Sequence, residues 1–103
     1  MSWVSVGTVE EGERARPWLK VRVGDADLVL AQREGEWFAV QARCTHAGCP
    51  LAEEATIEDG TIVCNCHGSE FDLRSGEVQR GPAEYALRTY AVRVAGDRLE
   101  VEL

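Results

Sequence analysis

Apolar positions along this chain recur every second residue over short stretches, and runs of helical period are nearly absent. Trp3–Val6, Leu19–Val23, Leu28–Gln32 and Trp37–Gln41 are rich in aliphatic, β-branched and aromatic residues, so they are predicted as the first four strands. Gly24-Asp25 and Glu34-Gly35 supply turns between neighbours, because glycine adopts positive φ without steric penalty, and the early half reads as a meander. Asp59-Gly60 between apolar runs predicts a tight hairpin over 56–64 that leads directly into Cys64. Toward the end Tyr90, Val92 and Val94 alternate with Arg93 and Gly96-Asp97 turns the chain. Leu99, Val101 and Leu103 then alternate with Glu100 and Glu102, one face toward a core and one toward water. The expected fold class is all-β and antiparallel. Strand pattern is missing from 43–55, 67–78 and 81–87, and irregular backbone on a rigid β scaffold is where sites are built.

Length and composition narrow the picture further. At 103 residues one hydrophobic core is expected, so 1–103 is read as a single domain, and 45% hydrophobic with 28% charged residues is an ordinary globular composition. The net charge of −7 repels phosphate backbones and anionic lipid, which argues against nucleic-acid binding. No run approaches the roughly 20 apolar residues of a spanning helix, and the first residues carry neither a basic nor an apolar leader segment. No membrane association and a cytoplasmic location are expected.

All four cysteines and both histidines fall between Cys44 and His67. Cys44-Thr45-His46 and Cys64-Asn65-Cys66-His67 each offer one thiolate and one imidazole, with a spacer of seventeen residues between His46 and Cys64. Two such loops converge on one centre if the hairpin between them folds back. A tetrahedral zinc site accepts the same ligands, although zinc sites usually pair Cys with Cys and His with His locally. A plain disulfide framework is a third possibility. One Cys and one His per loop also suit a two-iron, two-sulfur cluster in which one iron takes both thiolates and the other both imidazoles.

The segments Cys44-Thr-His46-Ala-Gly-Cys49 and Cys64-Asn-Cys66-His67-Gly-Ser69 resemble the Rieske iron–sulfur signature, and Gly81-Pro82-Ala83 resembles the proline loop that shields the cluster in that family. The resemblance implies an antiparallel Rieske-type β-sandwich with a small cluster-binding subdomain of two loops and a hairpin, over about 43–72. It implies one [2Fe-2S] cluster, with Cys44 and Cys64 on the inner iron and His46 and His67 on the outer. Cys49 and Cys66 correspond to a pair that is bridged in the quinol-oxidising branch of the family. Ser69 matches a hydroxyl that donates to a bridging sulfide in high-potential relatives; Phe71 stands where those relatives place a donating Tyr. Imidazole ligation makes the site less negative than all-thiolate ligation, so potentials of roughly −150 to +300 mV replace about −400 mV.

The implied function is electron transport rather than catalysis. The protein is expected to be a monomeric one-electron carrier passing electrons from a flavin-containing reductase to a terminal oxygenase or other redox enzyme, its acidic surface steering it toward basic partners. The alternative is a small Rieske subunit of a larger oxidoreductase complex, of nitrite, arsenite or quinol-oxidising type.

Overall fold

Leu28, Val29, Leu30 and Ala31 follow one another in sequence and cannot all point to one side of a strand, yet all four are buried. The computed structural model, which describes residues 2–103, puts their strand in the middle of three layers. The middle sheet runs β2 (Leu19–Val23), β3 (Ala26–Arg33), β4 (Glu36–Gln41) and β9 (Thr89–Tyr90). On one face Leu28, Leu30, Trp37 and Ala39 pack against Leu99 and Val101. Those two belong to a three-stranded sheet in the order β1 (Trp3–Thr8), β11 (Arg98–Glu102), β10 (Val92–Ala95).

On the opposite face Val29, Ala31 and Val40 join Leu51, Ile62, Phe71 and Leu87 in a second core that also holds Cys44 and Cys64. Above that core lies the third sheet, β5 (Ala55–Glu58), β6 (Thr61–Cys64), β7 (Glu70–Asp72) and β8 (Val78–Arg80). Burial of each large aliphatic side chain contributes about 1.5–3 kcal/mol. The alternation within β3 and β4 therefore holds both outer layers to the middle one.

The predicted antiparallel β architecture is present, with β2, β3 and β4 as a meander and the 56–64 hairpin in register Glu58 to Thr61 and Ala55 to Cys64. Asp59 and Gly60 both take positive φ, 52° and 80°, the geometry that suits the right-handed twist of a two-residue hairpin. The meander does not extend to β1, which pairs with β11 instead of β2. Between β1 and β2 lies α1 (Val9–Arg14), missed because six residues are too few to display a helical period. Its start was nonetheless encoded: the Thr8 hydroxyl accepts from the Glu11 N–H at 3.0 Å, and the Glu11 carboxylate accepts from the Thr8 N–H at 2.8 Å.

The strands β7 and β8 fall in segments without alternation; β7 forms by pairing Phe71 with Ile62 on β6. A one-turn helix, α2 (Leu51–Glu54), also occupies a segment read as loop. Val94 and Leu103 alternate as expected yet are 50% and 42% exposed, Val94 because β10 is the edge strand of its sheet. Trp18 and Trp37 are core residues, whereas Trp3 is half-buried beneath the Arg93 guanidinium.

Exposed ion pairs also join the middle sheet to α2 and to the third sheet: Lys20 with Glu53 on α2, Arg33 with Asp59, and Arg74 with Glu36. Hydrogen bonds from Lys20 and Arg74 hold the Glu53 and Glu36 carboxyls below the ordinary range, as the Ser75 N–H does for Asp72 and the Thr8 N–H for Glu11. A carboxylate with a depressed folded pKa stabilises the fold above its unfolded pKa, and that contribution disappears as pH falls through the folded value. Urea midpoints are expected to hold steady from neutrality to about pH 5 and then decline below about pH 4. In Glu36→Gln the acid decline should be shallower; an identical decline would show that the Arg74 pair contributes nothing to it.

Candidate metal centre

The two chain segments that carry the predicted ligands are built alike. In the first, the Cys44 N–H donates to the Cys49 carbonyl at 2.9 Å and the Gly48 N–H donates to the Cys44 carbonyl at 3.0 Å. In the second, the Cys64 N–H donates to the Ser69 carbonyl at 2.8 Å and the Gly68 N–H donates to the Cys64 carbonyl at 2.9 Å. Each segment is thus a single closed turn starting at a cysteine and leaving through a glycine at positive φ, 72° at Gly48 and 86° at Gly68. A side chain at either glycine would meet that backbone conformation at a cost.

The first turn leaves the end of β4 and the second the end of β6, so Cys44 and Cys64 enter the second core and are both buried. His46 and His67, part-way round each turn, are exposed. Their rings lie with centroids 4.9 Å apart and planes at 81°. Cys49 and Cys66 are joined by a disulfide with Cα atoms 6.5 Å apart, which ties one turn to the other.

A third loop, 81–88, is fastened to both turns. The Ala83 N–H donates to the Ser69 hydroxyl oxygen at 3.0 Å, and the Thr45 hydroxyl donates to the Tyr85 carbonyl. At the base of the loops Gln41 donates to the Arg43 carbonyl at 2.8 Å and accepts from the Arg88 N–H at 2.7 Å. The Leu87 N–H donates to the Gly76 carbonyl at 2.8 Å, and a Cβ on Gly76 would stand 2.2 Å from the Leu87 oxygen. Glycine at 76 is therefore what allows the third loop to seat.

Burial pushes the Cys64 thiol up, with the neighbouring Cys44 sulfur and the Glu54 carboxylate acting in the same direction against a stabilising Cys66 backbone N–H. Two adjacent buried sulfurs are a donor pair suited to a group carrying positive charge, and the imidazole of each turn is exposed to solvent. The residues fit a cluster with mixed thiolate and imidazole ligation. Donor atoms of Cys49, Cys66 and His67 also lie within 4.8 Å of one another, but both sulfurs are consumed by the disulfide and do not constitute a competing metal site.

The structure thus brings Cys44, His46, Cys64 and His67 together and bridges Cys49 with Cys66. Ser69 is 1% exposed and Phe71 is fully buried, while Pro82 is exposed on the third loop. The bond to Ser69 uses only its oxygen, so the hydroxyl proton is left to donate elsewhere. Thr45 and Gln41 were not singled out from the sequence. Thr45 carried one signal, its position between two predicted ligand residues; Gln41 carried none.

Three layers of antiparallel strands, with a Cys/His turn from each of two adjoining hairpins, define an iron–sulfur protein of Rieske architecture. The Rieske [2Fe-2S] domain model matches residues 2–91, and the chain belongs to that family, whose cofactor is a [2Fe-2S] cluster. It is 33% identical to the ferredoxin component of biphenyl 2,3-dioxygenase from Rhodococcus jostii (strain RHA1), covering 96% of this chain and 88% of that one. The plasma membrane Rieske protein of the cyanobacterium Synechocystis PCC 6803 superposes with a TM-score of 0.73 at 34% identity, covering 97% of this chain and 99% of that one. A chain from the complex of reduced oxygenase and oxidised ferredoxin in carbazole 1,9a-dioxygenase has a TM-score of 0.82 at 26% identity, covering 96% and 91%. The protein is a Rieske electron carrier and not itself a catalyst. Among the described residues no helix is long and apolar enough to cross a membrane.

The disulfide closes a loop of seventeen residues and is the one covalent tie between the turns. Cys49→Ser is expected to lower unfolding stability by about 3 kcal/mol in denaturant titration, the chain-entropy value for a loop of that size. Iron release to a chelator should be faster in the same variant; unchanged release would mean that hydrogen bonding alone secures the turns.

Proposed function

We propose that this protein accepts one electron from a flavin-containing reductase and passes it to a terminal oxygenase, acting as a cytoplasmic monomer. In this reading 1–103 is one domain whose cluster-binding part is centred on 43–72. Cys44 and Cys64 hold the inner iron of the cluster and His46 and His67 the outer. The observation that carries the reading is the arrangement of buried sulfurs beneath exposed imidazoles at one tip of a small β scaffold. The bound cluster supplies a one-electron couple whose range follows from neutral imidazoles replacing two thiolates.

The chain's own contribution is to position, shield and tune. Cys44 and Cys64 sit where water is excluded, which strengthens every local electrostatic effect on the couple. His46 and His67 reach solvent and shorten the path to an acceptor. The third loop, held through Ser69 and Thr45, covers the site beside them, with Pro82 part of that cover. The free hydroxyl proton of Ser69 would be available to donate to a cluster sulfide, and such a bond would favour the extra negative charge of the reduced state. Phe71 has no hydroxyl and offers no second donor. Similarity to ferredoxin components of dioxygenase systems supports the oxygenase as acceptor.

Low-temperature electron paramagnetic resonance of the dithionite-reduced protein, with iron and sulfide counts, tests the ligand assignment. The expected result is one mixed-ligand [2Fe-2S] signal per chain, lost in His46→Ala; a colourless protein or a zinc-loaded one would overturn it. Reduction by a flavin reductase with NADH, followed by reoxidation on adding a Rieske-type oxygenase, tests the direction of transfer, and a stable large complex in solution would favour a bound subunit instead. Redox titration of Phe71→Tyr should give a higher potential than the natural protein. A potential that stays put or drops would remove Phe71 from the tuning assignment.

A further inference from the structure

The distribution of charge over the surface is uneven in a way the net value of −7 conceals. The segments that surround the site, 43–50, 65–69 and 81–88, contain two basic residues, Arg43 and Arg88, and one acidic residue, Glu84. They carry a net charge of +1, so the rest of the chain carries −8. The charged groups just behind them largely cancel: Lys20 lies 2.8 Å from Glu53 and Arg80 lies 3.7 Å from Glu70. Glu54 remains, and with it the tip as a whole is neutral.

What the tip does present is apolar. Ala47, Pro82 and Ala86 are exposed beside the two imidazoles. Tyr85 is 72% exposed, the most exposed large hydrophobic side chain among the described residues. Its position is not left to a free loop. The Tyr85 carbonyl accepts from the hydroxyl of Thr45, which stands between Cys44 and His46, and Ala83 two residues before it is bonded to Ser69. An aromatic ring held at the rim of an electron-exchange site, in a surround of no net charge, has the composition of a contact centre.

We propose that electrons leave and enter this protein through an apolar cap of no net charge with Tyr85 as its contact residue, and that its partner is a redox protein whose receiving surface is likewise apolar and without net charge. The acidic body faces elsewhere and takes no part in that contact. This rests on the carrier reading above and adds the chemistry of the partner's surface to it.

Two inorganic oxidants probe the cap without a protein partner. The reduced protein gives one electron to hexacyanoferrate(III), forming hexacyanoferrate(II), or to tris(phenanthroline)cobalt(III), forming the cobalt(II) complex; one is a hydrophilic anion, the other a cation faced with aromatic rings. Stopped-flow rates with each, between about 0.1 and 1 M salt, are expected to change less than about tenfold, because Debye lengths of about 10 Å and below screen the distant body and leave the charge near the exchange site in control. A larger change, in opposite directions for the two probes, would mean that the body's negative charge dominates and would overturn the proposal. Tyr85→Ala should slow the cobalt complex more than about threefold while hexacyanoferrate stays within about twofold, the loss of an aromatic contact by only one probe. Equal effects on both, or none, would remove Tyr85 from the contact. Each variant is first checked for its cluster by paramagnetic resonance: a natural protein without one defeats the carrier reading itself, whereas a loaded protein with the wrong salt or probe dependence defeats only the proposed cap.

Discussion

Cys44 leaves the end of β4 and Cys64 the end of β6, and their meeting depends on the second face of the middle sheet being buried. Val29, Ala31 and Val40 form the floor on which β5, β6 and β7 are laid, with Leu51, Ile62 and Phe71 packed down onto it. Because β3 and β4 are apolar on both sides, the sandwich core and the site core share one sheet. A change that loosens that sheet is felt in both cores, since packed interiors leave no slack to absorb it. The sulfurs are dry for the same reason that the third layer exists.

Water-facing imidazoles on a dry base follow from the turns. Each begins at a buried cysteine and returns within four residues through a glycine at positive φ, which leaves the histidine between them in solvent. The histidines occupy different places in the two turns, two residues after Cys44 and three after Cys64, and still come within 4.9 Å of each other. The disulfide, the Thr45 bond and the Ser69 bond limit the relative movement of the three loops, which keeps the reorganisation accompanying a change of charge small. Rigid support of this sort suits a protein that exchanges an electron and performs no bond chemistry.

The acidic composition has a narrower meaning than the total suggests. Much of the negative charge is spent locally: Glu11 closes the capping box of α1, Glu36 pairs with Arg74 and Glu53 with Lys20, and Asp72 accepts from the Ser75 N–H in the β7–β8 turn. Exposed pairs of this type contribute little to stability, because solvent screens them. Their consequence for function is positional, since the negative charge they hold lies away from the two imidazoles, whose surroundings carry little net charge.

Strands with a buried and a wet face were legible from one sequence because a period of two is a local property, and the paired Cys and His turns because metal-ligating residues are scarce and their spacing is short. The Thr8–Glu11 capping box is just as local, but the six-residue helix it starts has no period to mark it and was missed. By contrast β7 and β8 have no period of their own and exist because β6 offers them an edge, and the pairing of β1 with β11 joins residues nearly a hundred positions apart. The roles of Gln41, Gly76 and Thr45 were hidden for the same cause: each holds a loop that is distant in sequence. Residue type and spacing determined which atoms could bind a cluster, since donor chemistry belongs to the residue itself. Only the folded chain decided which thiols are dry, which imidazoles are wet and what surface surrounds them, because burial and local charge are properties of neighbours brought together by the fold.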